Sequence, residues 1–176
     1  MRVNGLVPFL ISLSLAFSAF APSSAHAADQ LPGKLQKGDT PPPRLGITRD
    51  RDEIETTQFT GKVLVVTFWA SWCGPCKREL TMLEKLQTLA QDRLKIVAVN
   101  IEEREVFRDV ARALKDLNVT ITNDPKQYAK QSYGVGGIPH MVIIGKDGKV
   151  VTAHAGYDER ALDGLLEEIN AEMAKG

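Results

Sequence analysis

The chain has 176 residues with 22 basic and 22 acidic side chains, so no overall field favours nucleic acid or an anionic membrane. An apolar share of 43% is that of an ordinary globular protein and argues against disorder. The length suffices for one domain with its own core once a leader is removed.

In chain order, residues 1–27 read as a signal peptide. Arg2 gives a weak positive start, an apolar run follows from Leu6 to Phe20, and Ala25-His26-Ala27 supplies the small-residue cleavage pattern before Ala28. The alternative is an uncleaved anchor, since the apolar run is near the lower length for a spanning helix. Either way the remainder faces an oxidising compartment. No cysteine precedes the cut, which argues against a lipid anchor. Residues 28–43 form a lead-in, Pro/Gly-rich from Gly33 to Pro43, and residues 44–176 form the domain.

Val63–Trp69 is a continuous apolar, β-branched run that predicts a buried strand. A helix follows, with Pro75 in the first turn and Leu80, Leu83, Leu86 and Ala90 as its core stripe. Leu94–Ile101 predicts a second buried strand. Val106, Phe107, Val110, Leu114 and Leu117 then form a helical stripe, Val119–Ile121 a short strand and Lys126–Tyr133 a short helix. Pro139 opens an apolar strand, Met141–Ile144, which pairs with Lys149–Ala155 across a turn at Lys146-Asp147-Gly148. Asp158 is placed to cap a last helix carrying Leu162, Leu165, Leu166, Ile169 and Met173.

Cys73 and Cys76 are the two cysteines of the chain. As a structural staple they would close so small a loop that little unfolded-state entropy is removed. As zinc ligands they are half a tetrahedral set, with His26 lost in the leader and His140 and His154 far apart in sequence; no metal is expected. The redox reading uses every residue of Trp72-Cys73-Gly74-Pro75-Cys76. Cys73 falls at a strand-to-helix turn, where unpaired N–H groups and the helix dipole stabilise a thiolate. Cys76, one turn on, is placed to resolve a mixed disulfide.

At these residues the chain resembles the thioredoxin superfamily, and more narrowly the TlpA/ResA-like periplasmic thioredoxins. The blocks that carry the resemblance are Gly38-Asp39-Thr40-Pro41-Pro42, Phe59–Lys62, Phe68–Glu79 around the cysteines, Tyr133–Pro139 and Gly145–Val150. It implies an α/β thioredoxin fold, a central mixed β-sheet flanked by helices, with an N-terminal β extension and a central βα insert. It also implies a cis Pro139 lying against the disulfide, and an Ile138 backbone that pairs with the substrate. Trp72, Gly74, Pro75, Ile138 and Pro139 are the expected substrate-binding residues, and no cofactor is required. The implied partners are protein disulfides and a membrane thiol-reductant transporter, with the chain acting as a periplasmic monomer.

The chain departs from the pattern at Thr67, where many thioredoxins carry a buried aspartate as proton acceptor for the second cysteine. A hydroxyl cannot take that role near neutral pH. Glu79, three residues beyond Cys76, is the candidate replacement; the plain alternative is an exposed first-turn glutamate favoured by the helix dipole. His140 either tunes the thiols or is an ordinary strand residue. Trp69 reads as core and Trp72 as a docking surface.

The leading functional expectation is a disulfide reductase for secreted proteins, with apocytochrome c maturation or copper-site thiols as examples. A disulfide oxidase or isomerase, and a non-catalytic copper-binding module, are the alternatives. A peroxiredoxin is disfavoured by Ala70 and Val66 at positions where that group carries Thr or Ser and Pro.

Overall fold

A strand covered on both faces needs apolar residues at every position, and β3 (Val63–Trp69) is buried along its whole length. The computed structural model describes Met1 and residues 35–175; the expected leader's cleavage site lies outside the described residues. Beside β3 runs β4 (Leu94–Asn100), and beside that β5 (Thr120–Asn123), all three parallel. On the other flank β6 (His140–Ile144) pairs antiparallel with β3, and β7 (Val150–Ala155) antiparallel with β6. The remaining edge is covered by β1 (Arg44–Ile47), antiparallel to β5, and β2 (Glu53–Glu55), antiparallel to β1. The result is one seven-stranded mixed sheet in the order β2-β1-β5-β4-β3-β6-β7.

Strand alternation sends side chains to opposite faces. Val63 and Val65 meet Leu80 and Leu83 of α1 (Gly74–Ala90) together with Ile169 and Met173 of α4 (Leu162–Ala174). Val110 of α2 (Arg104–Ala113) packs against the same cluster. Leu64, Val66 and Phe68 face the other way, onto Leu45 and onto Ala129 and Tyr133 at α3 (Tyr128–Ser132). The Tyr133 hydroxyl donates to Pro42 O at 2.7 Å, and Gly38 N bonds Val150 O at 2.8 Å, so the end of the lead-in lies along the sheet. Among the described residues no helix is long and apolar enough to cross a membrane.

Four expectations need correction. Helix α2 ends at Ala113, short of Leu117, because the chain beyond it turns back onto α1. There the Glu84 carboxylate accepts from Asn118 N and Nδ2 and from Val119 N. Val106 is 42% exposed, since Phe107 and Ala111 take the inward face. The third short strand starts one residue later than expected and runs on through Asn123, where Asn100 and Ile47 both pair with it. Asp158 accepts from Arg160 N at 3.0 Å and so turns the chain into a short 3₁₀ segment, Glu159–Ala161, ahead of α4.

At Gly46 the φ of +96° and a close approach of chains coincide: a Cβ there would sit 2.6 Å from Asn123 O. Thr122 Oγ1 donates to the neighbouring Leu45 O at 2.5 Å, sealing β1 to β5.

Candidate active site

The parallel strands deliver their C-terminal ends to one edge, and the β3 end leads through Ala70-Ser71-Trp72 into α1. Cys73 N-caps that helix, and its sulfur accepts from Cys76 N at 3.2 Å. The two cysteines are joined by a disulfide with an S–S length of 2.05 Å. Cys73 keeps 5% of its surface and Cys76 none, while Trp72 between strand and helix is 71% exposed. Trp69, by contrast, is buried at the end of β3.

The sheet register brings the second part of the site alongside. Phe68 pairs with His140, so Ile138 and Pro139 enter β6 at the same end from which β3 leads to Cys73. The Ile138–Pro139 bond is cis, and Ile138 packs against the cluster that contains both cysteines. Pro139 O accepts from Gly156 N at 2.8 Å, which ties this turn to the end of β7. His140 is half-buried, its ring 6.4 Å from that of Phe68 in an edge-on arrangement. Burial, and then the neighbouring His154, hold its imidazole below the usual range.

Glu79 is 3% exposed, which excludes the surface-glutamate reading. Its position follows from two periodicities: on α1 it shares the inward face with Cys76, Leu80 and Leu83, and on β3 Thr67 shares the α1-facing side with Val65. Thr67 Oγ1 donates to Glu79 Oε1 at 2.5 Å. Thr67 thus orients the Glu79 carboxyl. Burial pushes the Glu79 carboxyl up to about 7, only partly offset by the Thr67 bond. Glu79 also lines a cavity of about 160 Å³ with Met141, His154, Tyr157, Asp158 and Leu165. A cavity of that size holds several water molecules, on the order of 30 Å³ each. His154 Nε2 lies 2.9 Å from Glu168 Oε2.

Sequence reasoning missed a second carboxylate. Glu102 accepts from Ser71 N at 2.6 Å and Ser71 Oγ at 2.8 Å, within the turn that precedes Cys73. Its signal was the polar Asn100-x-Glu102 pair at the C-terminal end of a buried parallel strand, the end where sites of open α/β sheets gather.

A profile of the Redoxin family matches residues 36–170. The chain belongs to the Redoxin family. Within this Redoxin protein the matched span takes in every strand and helix among the described residues apart from the end of α4. The chain is similar to the thiol-disulfide oxidoreductase ResA of Bacillus anthracis, 28% identical over 138 residues, 77% of this chain and 80% of that one. It is similar also to the thioredoxin-like protein YneN of Bacillus subtilis, 31% identical over 125 residues, 69% of this chain and 73% of that one. Among solved structures it resembles a chain described as thiol:disulfide interchange protein DsbE from Chlorobium tepidum. That match has a TM-score of 0.72 at 29% identity and covers 80% of this chain and 100% of the other. With the cysteine pair in place, this Redoxin protein is a thiol–disulfide oxidoreductase.

Proposed function

We propose that the chain is a periplasmic disulfide reductase in which Cys73 attacks and Cys76 resolves. The observation that carries this reading is the asymmetry of the pair. Cys73 keeps 5% of its surface at a helix N-terminus beside the exposed Trp72, whereas Cys76 keeps none and lies three residues from the buried Glu79. A thiolate is the attacking species, and a helix N-terminus favours it. Export is supported by the A-x-A leader read in the sequence.

In the reductive direction the Cys73 thiolate attacks one sulfur of a substrate disulfide, forming a mixed disulfide and releasing the other sulfur as a thiolate. Cys76 then gives its proton to the Glu79 carboxylate and attacks the Cys73 sulfur, which frees the second substrate thiol. The protein finishes oxidised and the substrate reduced by two electrons. A carboxyl poised near 7 suits this exchange, since it takes and returns a proton near the working pH. Its cavity offers the proton a route to water. Trp72, Gly74 and Pro75 on one side and Ile138 and Pro139 on the other are the surface offered to the substrate. The family resemblance supports apocytochrome c or copper-site cysteines as substrates, with reducing equivalents from a membrane thiol transporter.

The test is trapping. Cys76→Ala should accumulate mixed disulfides with periplasmic proteins, identified by mass spectrometry, and Cys73→Ser should lose reduction of a model disulfide. If the Cys76 variant traps nothing while the Cys73 variant stays active, the assignment of attacking sulfur is wrong. Tight Cu(I) binding by an inactive wild type would favour the copper-module reading instead.

A further inference from the structure

Ser71 stands two residues before Cys73, in a turn closed by a 3.1 Å bond from Cys73 N to Ala70 O. Both donors of Ser71 go to one carboxylate: its N–H to Glu102 Oε2 and its hydroxyl to Glu102 Oε1. That carboxylate is held in turn. Asn100 Nδ2 donates to Glu102 Oε2 at 2.9 Å, and Glu102 N donates to Asn100 Oδ1 at 3.0 Å. Asn123 Nδ2 donates to Glu102 O at 2.8 Å, and Ile101 N to Trp69 O at 3.1 Å. Asn100 and Asn123 are fully buried at the ends of β4 and β5. The redox turn is therefore anchored to two strand ends through a single residue, Glu102.

All three donors to the Glu102 carboxylate are neutral groups, so these bonds hold its charge without cancelling it. The nearby Arg104 turns away, donating to Thr48 O at 3.2 Å with its guanidinium 5.5 Å from the Phe107 ring centre.

We propose that Glu102 is a positioning residue that makes the Cys73–Cys76 pair a more reducing couple. The couple is the disulfide plus two electrons and two protons against two thiols. When the disulfide opens, the covalent link that fixed Cys73 is lost, and the clasp on Ser71 keeps its sulfur within reach of Cys76. Restricting the open form in this way raises the effective concentration of one thiol at the other and favours closure. The carboxylate charge acts in the same direction. A couple becomes oxidising when its reduced form is stabilised, and a negative charge beside the turn disfavours the Cys73 thiolate.

The inference rests on Cys73 and Cys76 as the exchanging pair, though not on the substrate or the direction of flux. The experiment equilibrates the purified protein with mixtures of reduced and oxidised dithiothreitol and counts dithiol after alkylation. Glu102→Ala should shift the equilibrium about tenfold toward the dithiol, which corresponds to about 30 mV. Glu102→Gln keeps an acceptor and loses the charge; it should shift the equilibrium about threefold and lower the Cys73 thiol pKa, read by ultraviolet thiolate absorbance. A purely structural residue would leave that pKa unmoved in the Gln variant. If Glu102→Ala does not fold, Glu102→Gln and Ser71→Ala decide, the latter expected to shift the equilibrium about twofold in the same direction. Unchanged equilibria in variants of an exchanging wild type overturn the proposal alone. A wild type that never exchanges with dithiothreitol overturns the assignment of the pair as well.

Discussion

Glu79 and Glu102 bring carboxyl groups to the two flanks of one redox turn, yet the first accepts a single side-chain hydrogen bond and the second accepts three. Glu79 is walled in by α1, β3 and β7, so burial dominates and its proton is held to about 7. Glu102 sits at the strand ends, where amide, backbone and hydroxyl donors converge on it. The contrast teaches that residue type does not set the role of a carboxyl group. The surroundings do: burial with one hydroxyl donor raises the Glu79 carboxyl, whereas three donors fix the Glu102 carboxylate in place.

The largest expected effect is on stability against pH. The Glu79 carboxyl is raised from 4.5 to about 7, so the folded protein holds this proton more tightly than the unfolded chain does. The stability this gives is fully present below about pH 4.5 and is lost as pH rises through 7, by about 3 kcal/mol. Denaturant titrations of the oxidised protein should show that decline, and Glu79→Gln should flatten it. A decline that persists in the Gln variant would assign the proton elsewhere.

Next comes the resolving step. Glu79→Gln keeps the Thr67 bond and removes the base, so single-turnover resolution of a mixed disulfide should slow by about 100-fold at pH 8. An unaltered rate would make the two glutamates equivalent and end the contrast. On the other flank, Asn100→Ala strips Glu102 of one donor and of the acceptor for its own N–H. A loss of about 1–2 kcal/mol in unfolding free energy is expected, with the midpoint of the Glu79 pH dependence unmoved. A shifted midpoint would show that the flanks are coupled.

The smallest effect belongs to Thr67→Val. The Thr67 hydroxyl lowers the Glu79 carboxyl, so its removal should push that carboxyl higher and move the pH profile of resolution toward alkaline values. Resolution at pH 7 should slow by about threefold. Movement toward acid would mean that the hydroxyl does not donate to Glu79.

The cysteine turn was legible because every residue in it serves one local demand, from the apolar run of β3 to Pro75 in the first turn of α1. Glu79 was half legible. Its spacing from Cys76 was visible, but its burial depends on Thr67 facing α1 across the sheet, a contact between residues twelve apart. Glu102 was not legible in the same way, because its partner Ser71 lies 31 residues away and only the parallel pairing of β3 with β4 brings them together. Strands β1 and β2 escaped residue-level reading too. Arg44–Ile47 has no alternation to mark it, and a glycine at positive φ stands inside it.

That glycine has a consequence for how the molecule comes into being. β1 docks on β5, so Leu45 and Gly46 must wait for Thr122 and Asn123, which leave the ribosome later by more than seventy residues. Until they arrive, the open edge of the parallel strands is a template for any passing strand. Non-local pairing of this kind is slow to form and exposed to aggregation while it waits. The edge at β5 is thus the point at which a chaperone would find this chain unfinished.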